Sequence, residues 1–301
     1  MTLSHFSDNV TDAQDSYRQI LEESIISHLG FCALRGWTPA DLRHEFSADI
    51  DPLLFHALPE IAYSCSDEMY TLWVNGTRWG IGFDNANVPE DKEIKSTLNL
   101  IDPQKITLND NEMTVFLQDN GMELDLGGIA KGYIADRIKD FWHAFNISSG
   151  IIDLGGNLLL VGLQPKHADS LWRIGVQNPH DARGNAIGLV VTPECSIVTS
   201  GIYERHLEVD GKSYHHILDS KTGYPKQNNL ASVTVFSKYS IDGEIETTNL
   251  FFAGKPVKDW GKNDPNLLGA VFVTTDNKIY LSKFTPDDFH LLSDEFEVIQ
   301  H

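Results

Sequence analysis

Four short segments of the sequence combine residue types that could do chemistry, and the first contains a glycine pair. In residues 122–142 a strand-like run ends at Leu126, Gly127 and Gly128 follow, and a helical pattern then begins. Glycines at a helix start let an anion approach unpaired backbone N–H groups closely. Lys131 adds a positive charge in the first helical turn, where the helix dipole disfavours one. The segment predicts a phosphate partner, and the alternative is a plain strand–helix connection with a surface lysine.

The second segment, residues 150–162, contains another Asp-Leu-Gly-Gly sequence between two apolar runs. Its glycines, Gly155 and Gly156, would let a ligand or another stretch of chain lie against the backbone. A tight bend at the corner of a sheet explains them at least as well. This segment by itself therefore predicts a turn and leaves a binding role open.

The third segment, residues 197–225, contains a histidine close to a carboxylate. His216 lies three residues before Asp219, after a hairpin turn that Asp210 and Gly211 predict. A carboxylate can hold a histidine in one tautomer, so that the ring acts as a general acid or base. The alternative is a hydrogen-bonded structural histidine. Ser200 is not supported as a nucleophile because no Gly-x-Ser-x-Gly turn surrounds it.

The fourth segment, residues 240–254, is predicted to be a helix that Asp242 caps and Gly254 ends. Glu244 and Thr248 are four residues apart, so both project from one face of that helix. A carboxylate and a hydroxyl together suit a hard, oxygen-preferring cation such as Mg²⁺. The alternative is a glutamate that favours the helix N-terminus and a threonine in ordinary packing.

The surrounding elements predict an α+β fold. The first 65 residues have helical periodicity, and a second helix begins near Asp51 and Pro52. After Met69 the chain is rich in β-branched and aromatic residues between turn signals, interrupted by helices after Leu126 and Asp242. Helices and strands do not alternate strictly, which disfavours a doubly wound parallel sheet. We expect Ile134, Ile138, Phe141 and Phe145 to form the buried face of the first of these two helices.

Composition excludes several classes of protein. The 301 residues carry a formal net charge of −20, which argues against nucleic acid or an anionic membrane as the main partner. No apolar run is long enough to insert in a membrane, and the first residues resemble no signal peptide. The three cysteines form no CxxC pair, so we expect free thiols in a reducing cytoplasm.

Taken together, the four segments resemble one family, the FAD:protein FMN transferases or ApbE-type flavin transferases. The resemblance runs from about residue 51 to about residue 254 and is strongest from Leu124 to Pro225. It implies a single compact unit with a β-rich body of mixed and antiparallel sheets flanked by helices, related to the T-fold. We expect one domain over residues 1–301, comprising a helical part (1–65), a catalytic body (66–285) and a C-terminal tail (286–301). The motifs that carry the resemblance are Leu-Asp-Leu-Gly-Gly-Ile-Ala-Lys-Gly-Tyr from Leu124, Asp-Leu-Gly-Gly-Asn from Asp153, Thr-Ser-Gly from Thr199 with Tyr-Glu-Arg from Tyr203, and His-Ile-Leu-Asp from His216 with Thr222-Gly223.

The resemblance implies a reaction. Such proteins bind FAD with Mg²⁺, split its pyrophosphate, transfer the FMN moiety to a Thr or Ser hydroxyl of a target protein, and release AMP. Some members hydrolyse FAD to FMN and AMP instead. The resemblance assigns His216 as the base, and it assigns Gly128, through its backbone oxygen, Glu244 and Thr248 as metal ligands. The residues that it places at the FAD are Asp67, Glu68, Met69, Asp125, Lys131, His216 and Leu218.

The sequence departs from the family pattern at several positions. Glu244 replaces the usual aspartate, and the loop that contacts the flavin keeps only Thr71 of its usual Phe-Asp-Pro-Thr. Ser220 stands where a proline is usual, and because the first residues show neither the signal peptide nor the lipobox usual in the family, we expect a cytoplasmic member. Three hypotheses follow: a cytoplasmic flavin transferase with a protein acceptor, an FAD pyrophosphatase, and an FAD-binding protein without turnover.

Overall fold

The computed structural model describes residues 88–109, 114–122, 126–204, 206–285 and 287–299. The two predicted N-terminal helices and the first part of the β-rich region after Met69 lie outside the described residues. So do four of the candidate site residues, namely Asp67, Glu68, Met69 and Asp125. The helices of the described part are α1 (Asp91–Leu98), α2 (Ala130–Ala144) and α3 (Ser240–Ala253), with a short 3₁₀ turn at Pro103–Lys105.

A seven-stranded sheet forms the centre of the described part, in the order β14-β12-β11-β10-β7-β4-β3. Neighbouring strands are antiparallel except β12 and β14, which are parallel. The eight residues of β10 are all buried, because other layers cover both faces of this sheet. The strands are β3 (Gly150–Asp153), β4 (Leu158–Val161), β7 (Ser196–Gly201), β10 (Leu230–Ser237), β11 (Leu267–Thr274), β12 (Lys278–Ser282) and β14 (Glu297–Ile299).

A second sheet of three strands covers one face of the large sheet. It has the order β13-β6-β5 and comprises β5 (Trp172–Gln177), β6 (Ala186–Thr192) and β13 (Phe289–Leu291). Side chains alternate along a strand, so Phe236 faces this second sheet while Val233 and Val235 pack against α3 on the other face. The two helices α2 and α3 form the layer on that other face.

Two hairpins complete the described elements. One pairs β1 (Ile106–Asn109) with β2 (Thr114–Leu117), and the other pairs β8 (His206–Val209) with β9 (Lys212–His215). The second hairpin turns at Asp210 and Gly211, whose φ angles of 51° and 73° confirm the predicted turn. Helix α1 packs through Ile94 against this hairpin.

The α+β fold with mixed and antiparallel sheets is confirmed, and two local predictions are wrong. Phe145 is 58% exposed because α2 ends at Ala144, and Trp142, at 3%, fills the apolar stripe instead. Asp242 lies inside α3, because the N-cap residue is Tyr239. Gly254 does end α3, with a φ of 71°. None of the helices in the described ranges is long and apolar enough to span a membrane.

Candidate active site

The first turns of α2 and α3 are in direct backbone contact. A Cβ on Gly132 would lie 2.5 Å from the carbonyl oxygen of Ser240 and 2.7 Å from the Cα of Ile241, so a glycine is required there. Asp136, one turn further along α2, accepts the backbone N–H groups of Ser240 at 2.8 Å and Ile241 at 3.0 Å. A residue of one helix therefore caps the N-terminus of the other, which fixes the two helices relative to each other.

The Glu244 carboxylate is buried at this junction and accepts two donors. Its Oε1 receives a hydrogen bond from Asn157 Nδ2 at 2.8 Å and lies 3.4 Å from Lys131 Nζ. Burial raises the pKa of Glu244, and the Lys131 charge and the two donors oppose that shift. The structure thus brings together Lys131 and Glu244, which the sequence singled out in separate segments.

These residues fit a hard cation. An ionised carboxylate in a buried site is costly unless cations and donors surround it, and a divalent ion would offset that cost. Thr248 Oγ1 donates to the Glu244 carbonyl oxygen at 3.0 Å, which holds the hydroxyl on the same side of α3. Among the described residues no group of three or more His, Cys, Asp or Glu side chains could hold a metal. A cation here would draw on hydroxyl and backbone oxygens as well as on Glu244.

Gly128 lies in the turn that leads into α2. The backbone N–H groups of Ile129 and Ala130 both donate to the Leu126 carbonyl oxygen, at 3.0 and 2.8 Å, which closes the turn around Gly128. Ile129, the N-cap residue, makes no side-chain capping hydrogen bond within the described part of the chain. The predicted glycine turn, helix N-terminus and Lys131 therefore occur together, and their binding of an anion stays a prediction.

The second Asp-Leu-Gly-Gly sequence forms a tight bend between β3 and β4. Gly155 and Gly156 have φ angles of 67° and 97°, and the Gly156 N–H donates to Asp153 Oδ1 at 3.0 Å. Directly after the bend, Asn157 is fully buried beside Glu244. Asn157 was not among the site residues predicted from the sequence, although it belongs to the Asp-Leu-Gly-Gly-Asn motif that begins at Asp153.

The two adjacent histidines after the hairpin have different surroundings. His215 is buried, accepts the Ile217 N–H at Nδ1, and donates from Nε2 to the Lys226 carbonyl oxygen at 3.0 Å. Burial lowers its pKa, so the neutral ring is structural. His216 is half-buried and directly follows β9. The hydrogen bonds of His215 make it a structural histidine, while both interpretations of His216 stay predictions.

Asp219 pairs with a lysine and organises a turn. Its Oδ2 lies 2.8 Å from Lys226 Nζ, and its Oδ1 accepts the Lys221 N–H at 2.9 Å. Burial acts to raise the pKa of Asp219, but these donors and the two lysine charges lower it overall. Leu218, a candidate FAD contact, places its side chain in the apolar cluster with Ile94. Its backbone forms a bridge with Pro225, and its contact with FAD stays a prediction.

Helix α3 connects the two halves of the candidate site. Its beginning carries Glu244, and near its end the ring of Phe251 lies edge-on to His215, with centroids 5.9 Å apart. At a rise of about 1.5 Å per residue, Glu244 and Phe251 lie about 10 Å apart along the helix. The metal candidates and the His216 segment therefore lie along one helix, as an extended ligand would require.

Comparisons with known proteins identify the class to which this fold and site belong. A family model described as the ApbE family matches residues 68–272. The chain belongs to the ApbE family, which confirms the resemblance inferred from the four motifs.

Curated relatives and solved structures agree with this membership. An FAD:protein FMN transferase of Klebsiella pneumoniae (strain 342) is 42% identical over 221 residues, which is 73% of this chain and 67% of the relative. One of Treponema pallidum (strain Nichols) is 34% identical over 229 residues, 72% of this chain and 63% of the relative. The chain therefore spans about two thirds of the length of these relatives. Because they carry a transferase name, the prediction of a transferase enzyme is confirmed at the level of the family.

The similarity extends to the fold. The crystal structure of an ApbE protein from Thermotoga maritima matches with a TM-score of 0.72 and 27% identity, covering 92% of both chains. The flavin transferase ApbE from Vibrio cholerae, with 22% identity, matches in fold with a TM-score of 0.68 over 97% of this chain and 92% of the other.

Proposed function

We propose that this protein transfers the FMN moiety of FAD to a Thr or Ser hydroxyl of a target protein in a Mg²⁺-dependent reaction that releases AMP. The names of the curated relatives support the substrate and the reaction class. The observation that carries the proposal is the buried Glu244 carboxylate, which has Asn157 on one side and Lys131 within 3.4 Å. This arrangement is suited to bringing a cation and a phosphate together.

Glu244, Thr248 and the backbone oxygen of Gly128 would hold the Mg²⁺. The ion would supply charge neutralisation at the pyrophosphate, the main requirement of phosphoryl transfer. Lys131 and the positive end of the α2 helix dipole would attract the phosphate oxygens, because the N–H groups of Ile129 and Ala130 already donate to the Leu126 carbonyl oxygen. With a net charge of −20, the protein repels FAD at long range, so these groups have to provide the local attraction.

His216 would act on the acceptor. It takes the proton of the incoming hydroxyl on an imidazole nitrogen as the hydroxyl oxygen bonds to the phosphorus of the FMN half. The phosphorus–oxygen bond to the AMP half breaks, and AMP leaves with the electron pair. Asp67, Glu68, Met69 and Asp125 remain proposed FAD contacts, and a cytoplasmic location with a cytoplasmic acceptor also stays a prediction.

Product analysis tests the proposal. The purified protein is incubated with FAD and Mg²⁺, with and without a panel of domains that carry exposed Thr and Ser residues. AMP, FMN and modified acceptor are then resolved by chromatography and mass spectrometry. The matched controls are Glu244→Gln and Glu246→Gln, because Glu246 lies on the same helix but binds the Trp260 indole at 2.6 Å. We expect AMP in proportion to acceptor that has gained one FMN, with both reduced at limiting Mg²⁺ in Glu244→Gln alone.

Two other outcomes would contradict the transferase. AMP with free FMN and no modified acceptor in any member of the panel would identify an FAD pyrophosphatase. Bound FAD that yields no AMP at any Mg²⁺ concentration would identify a flavin-binding protein without turnover.

A further inference from the structure

Asn157 bridges two buried groups of α3. Its Nδ2 donates to Glu244 Oε1 at 2.8 Å, and its Oδ1 accepts the Ser240 hydroxyl at 2.8 Å. We infer that Asn157 is the positioning residue that orients the Glu244 carboxylate for metal binding. The inference rests on the proposed function, in which Glu244 is a ligand of the metal.

The amide of Asn157 has one favourable orientation. A flip would turn its carbonyl oxygen toward the Glu244 carboxylate, where two acceptors would repel each other without a shared proton. In the observed orientation the Ser240 hydroxyl satisfies the carbonyl oxygen and Glu244 satisfies the amide. A buried polar group that is satisfied at both ends is held firmly in place.

Asn157 is also better fixed than Lys131, the second donor to the same oxygen. The bend between β3 and β4 holds its backbone, whose carbonyl oxygen accepts the Leu154 N–H at 2.9 Å. Asn157 has no exposed surface, whereas the Lys131 side chain is 39% exposed and its ammonium lies at the longer distance of 3.4 Å. We therefore assign the orientation of the Glu244 carboxylate to Asn157, while the more exposed Lys131 side chain adds a weaker contact.

The neutral donor suits a metal ligand. An amide orients a carboxylate without adding a positive charge of its own, so the Asn157 hydrogen bond does not neutralise the charge that attracts the cation. Asn157 and Lys131 both bind Oε1, which leaves Oε2 as the carboxylate oxygen that neither of them occupies. Glutamate has one more rotatable bond than the aspartate that the family pattern favours here, so a fixed donor matters more in this chain.

Metal binding without FAD tests the inference. Mn²⁺, which prefers the same oxygen ligands as Mg²⁺, is titrated into the full chain and followed by electron paramagnetic resonance. We expect Asn157→Leu to weaken Mn²⁺ binding 10- to 100-fold, about the usual cost of losing a partner that orients a ligand. The matched control is Asn228→Leu, near the other end of α3. The Asn228 side chain also uses both its groups: Nδ2 donates to the Phe251 carbonyl oxygen and Oδ1 accepts the Leu230 N–H, at 2.8 Å each. We expect that control to keep the wild-type affinity.

A second variant keeps the test decisive where Asn157→Leu fails to fold. Ser240→Ala removes the hydroxyl that satisfies the Asn157 carbonyl oxygen and leaves every backbone bond in place. We expect it to weaken Mn²⁺ binding about 3- to 10-fold, the worth of one neutral hydrogen bond.

Wild-type Mn²⁺ affinity in folded Asn157→Leu or, if that variant does not fold, in Ser240→Ala would overturn the inference. So would an equal loss of affinity in Asn228→Leu. Mn²⁺ binding that depends on Asn157, together with no AMP from FAD, would contradict the proposed transferase and leave the role of Asn157 standing. A wild-type chain that binds no Mn²⁺ would overturn both.

Discussion

The two halves of α3 are held by different kinds of contact. The front half, residues 240–246, meets α2 and the β3–β4 bend through the hydrogen bonds of Asp136 and Asn157 and through Lys131. The rear half, residues 247–253, packs Leu250 and Phe251 into an apolar cluster that also supports the segment around His216. The difference indicates that the front half maintains a buried charge, while the rear half maintains the position of a neighbouring segment by shape.

The largest expected effect comes from the segment that the rear half supports. His216→Ala removes the proposed base and should lower the rate of FMN transfer about 10²- to 10⁴-fold, the range typical of a general base. The variant should still bind FAD and should bind Mn²⁺ as the wild type does, because the proposed metal ligands are untouched. AMP release and FAD fluorescence titration measure the two properties. Full activity in His216→Ala would remove this residue from the mechanism.

A substitution in the front half should change metal binding and leave the proposed base in place. Glu244→Gln removes the buried charge but keeps an acceptor for Asn157, so the Mg²⁺ midpoint of AMP release should rise at least about tenfold. Urea unfolding without metal should show no loss of stability, because burial already disfavours the ionised carboxylate and raises its pKa. An unchanged metal titration would make Glu244 a helix-end charge with no ligand role.

A substitution at the helix crossing should damage the front half through the backbone. In Gly132→Ala the added Cβ would meet Ser240 O at 2.5 Å, so α2 and α3 have to separate. We expect a loss of about 1–3 kcal/mol in the free energy of unfolding, together with weaker Mn²⁺ binding. Urea denaturation and the Mn²⁺ titration measure both. Wild-type stability would mean that the two helices are not in close contact.

The smallest effect concerns the pH dependence of stability at His215, which packs against the rear half of α3. Burial lowers the pKa of His215, so the unfolded chain binds a proton that the folded chain excludes. Stability should therefore fall as the pH drops below about 6.5 toward the lowered pKa, by at most about 1.4 kcal/mol per pH unit for one proton. Urea unfolding between pH 5.5 and 7.5 on the wild type and on His215→Gln measures this slope. An identical slope in the variant would assign it to other groups.

The sequence predicted those parts of the fold and site that depend on local patterns. Enrichment in β-branched and aromatic residues between turn signals located the β-rich region after Met69, the apolar stripe of Ile134 and Ile138 located α2, and the Asp210-Gly211 pair located a hairpin. Glu244 and Thr248 do project from one helix, because a spacing of four fixes that relation in any helix.

The parts that the sequence did not predict depend on contacts between distant segments. Asn157 and Glu244 are 87 positions apart, and Asp136 caps a helix that begins 104 positions later. Such contacts arise from the packing of α2, α3 and the sheet, and no local period encodes them. Phe145 was predicted to be buried because its spacing continues the apolar stripe, but α2 ends one residue earlier.

The most direct test measures the Mg²⁺ dependence of AMP release from FAD side by side on wild type, Glu244→Gln and His216→Ala. It separates the proposed role of Glu244 in metal binding from that of His216 as the base. The account predicts that Glu244→Gln moves the Mg²⁺ midpoint upward, and that His216→Ala lowers the plateau at an unchanged midpoint. Variants that both shift the midpoint, or that both leave it unchanged, would contradict the assignment of metal binding to Glu244 and of proton transfer to His216.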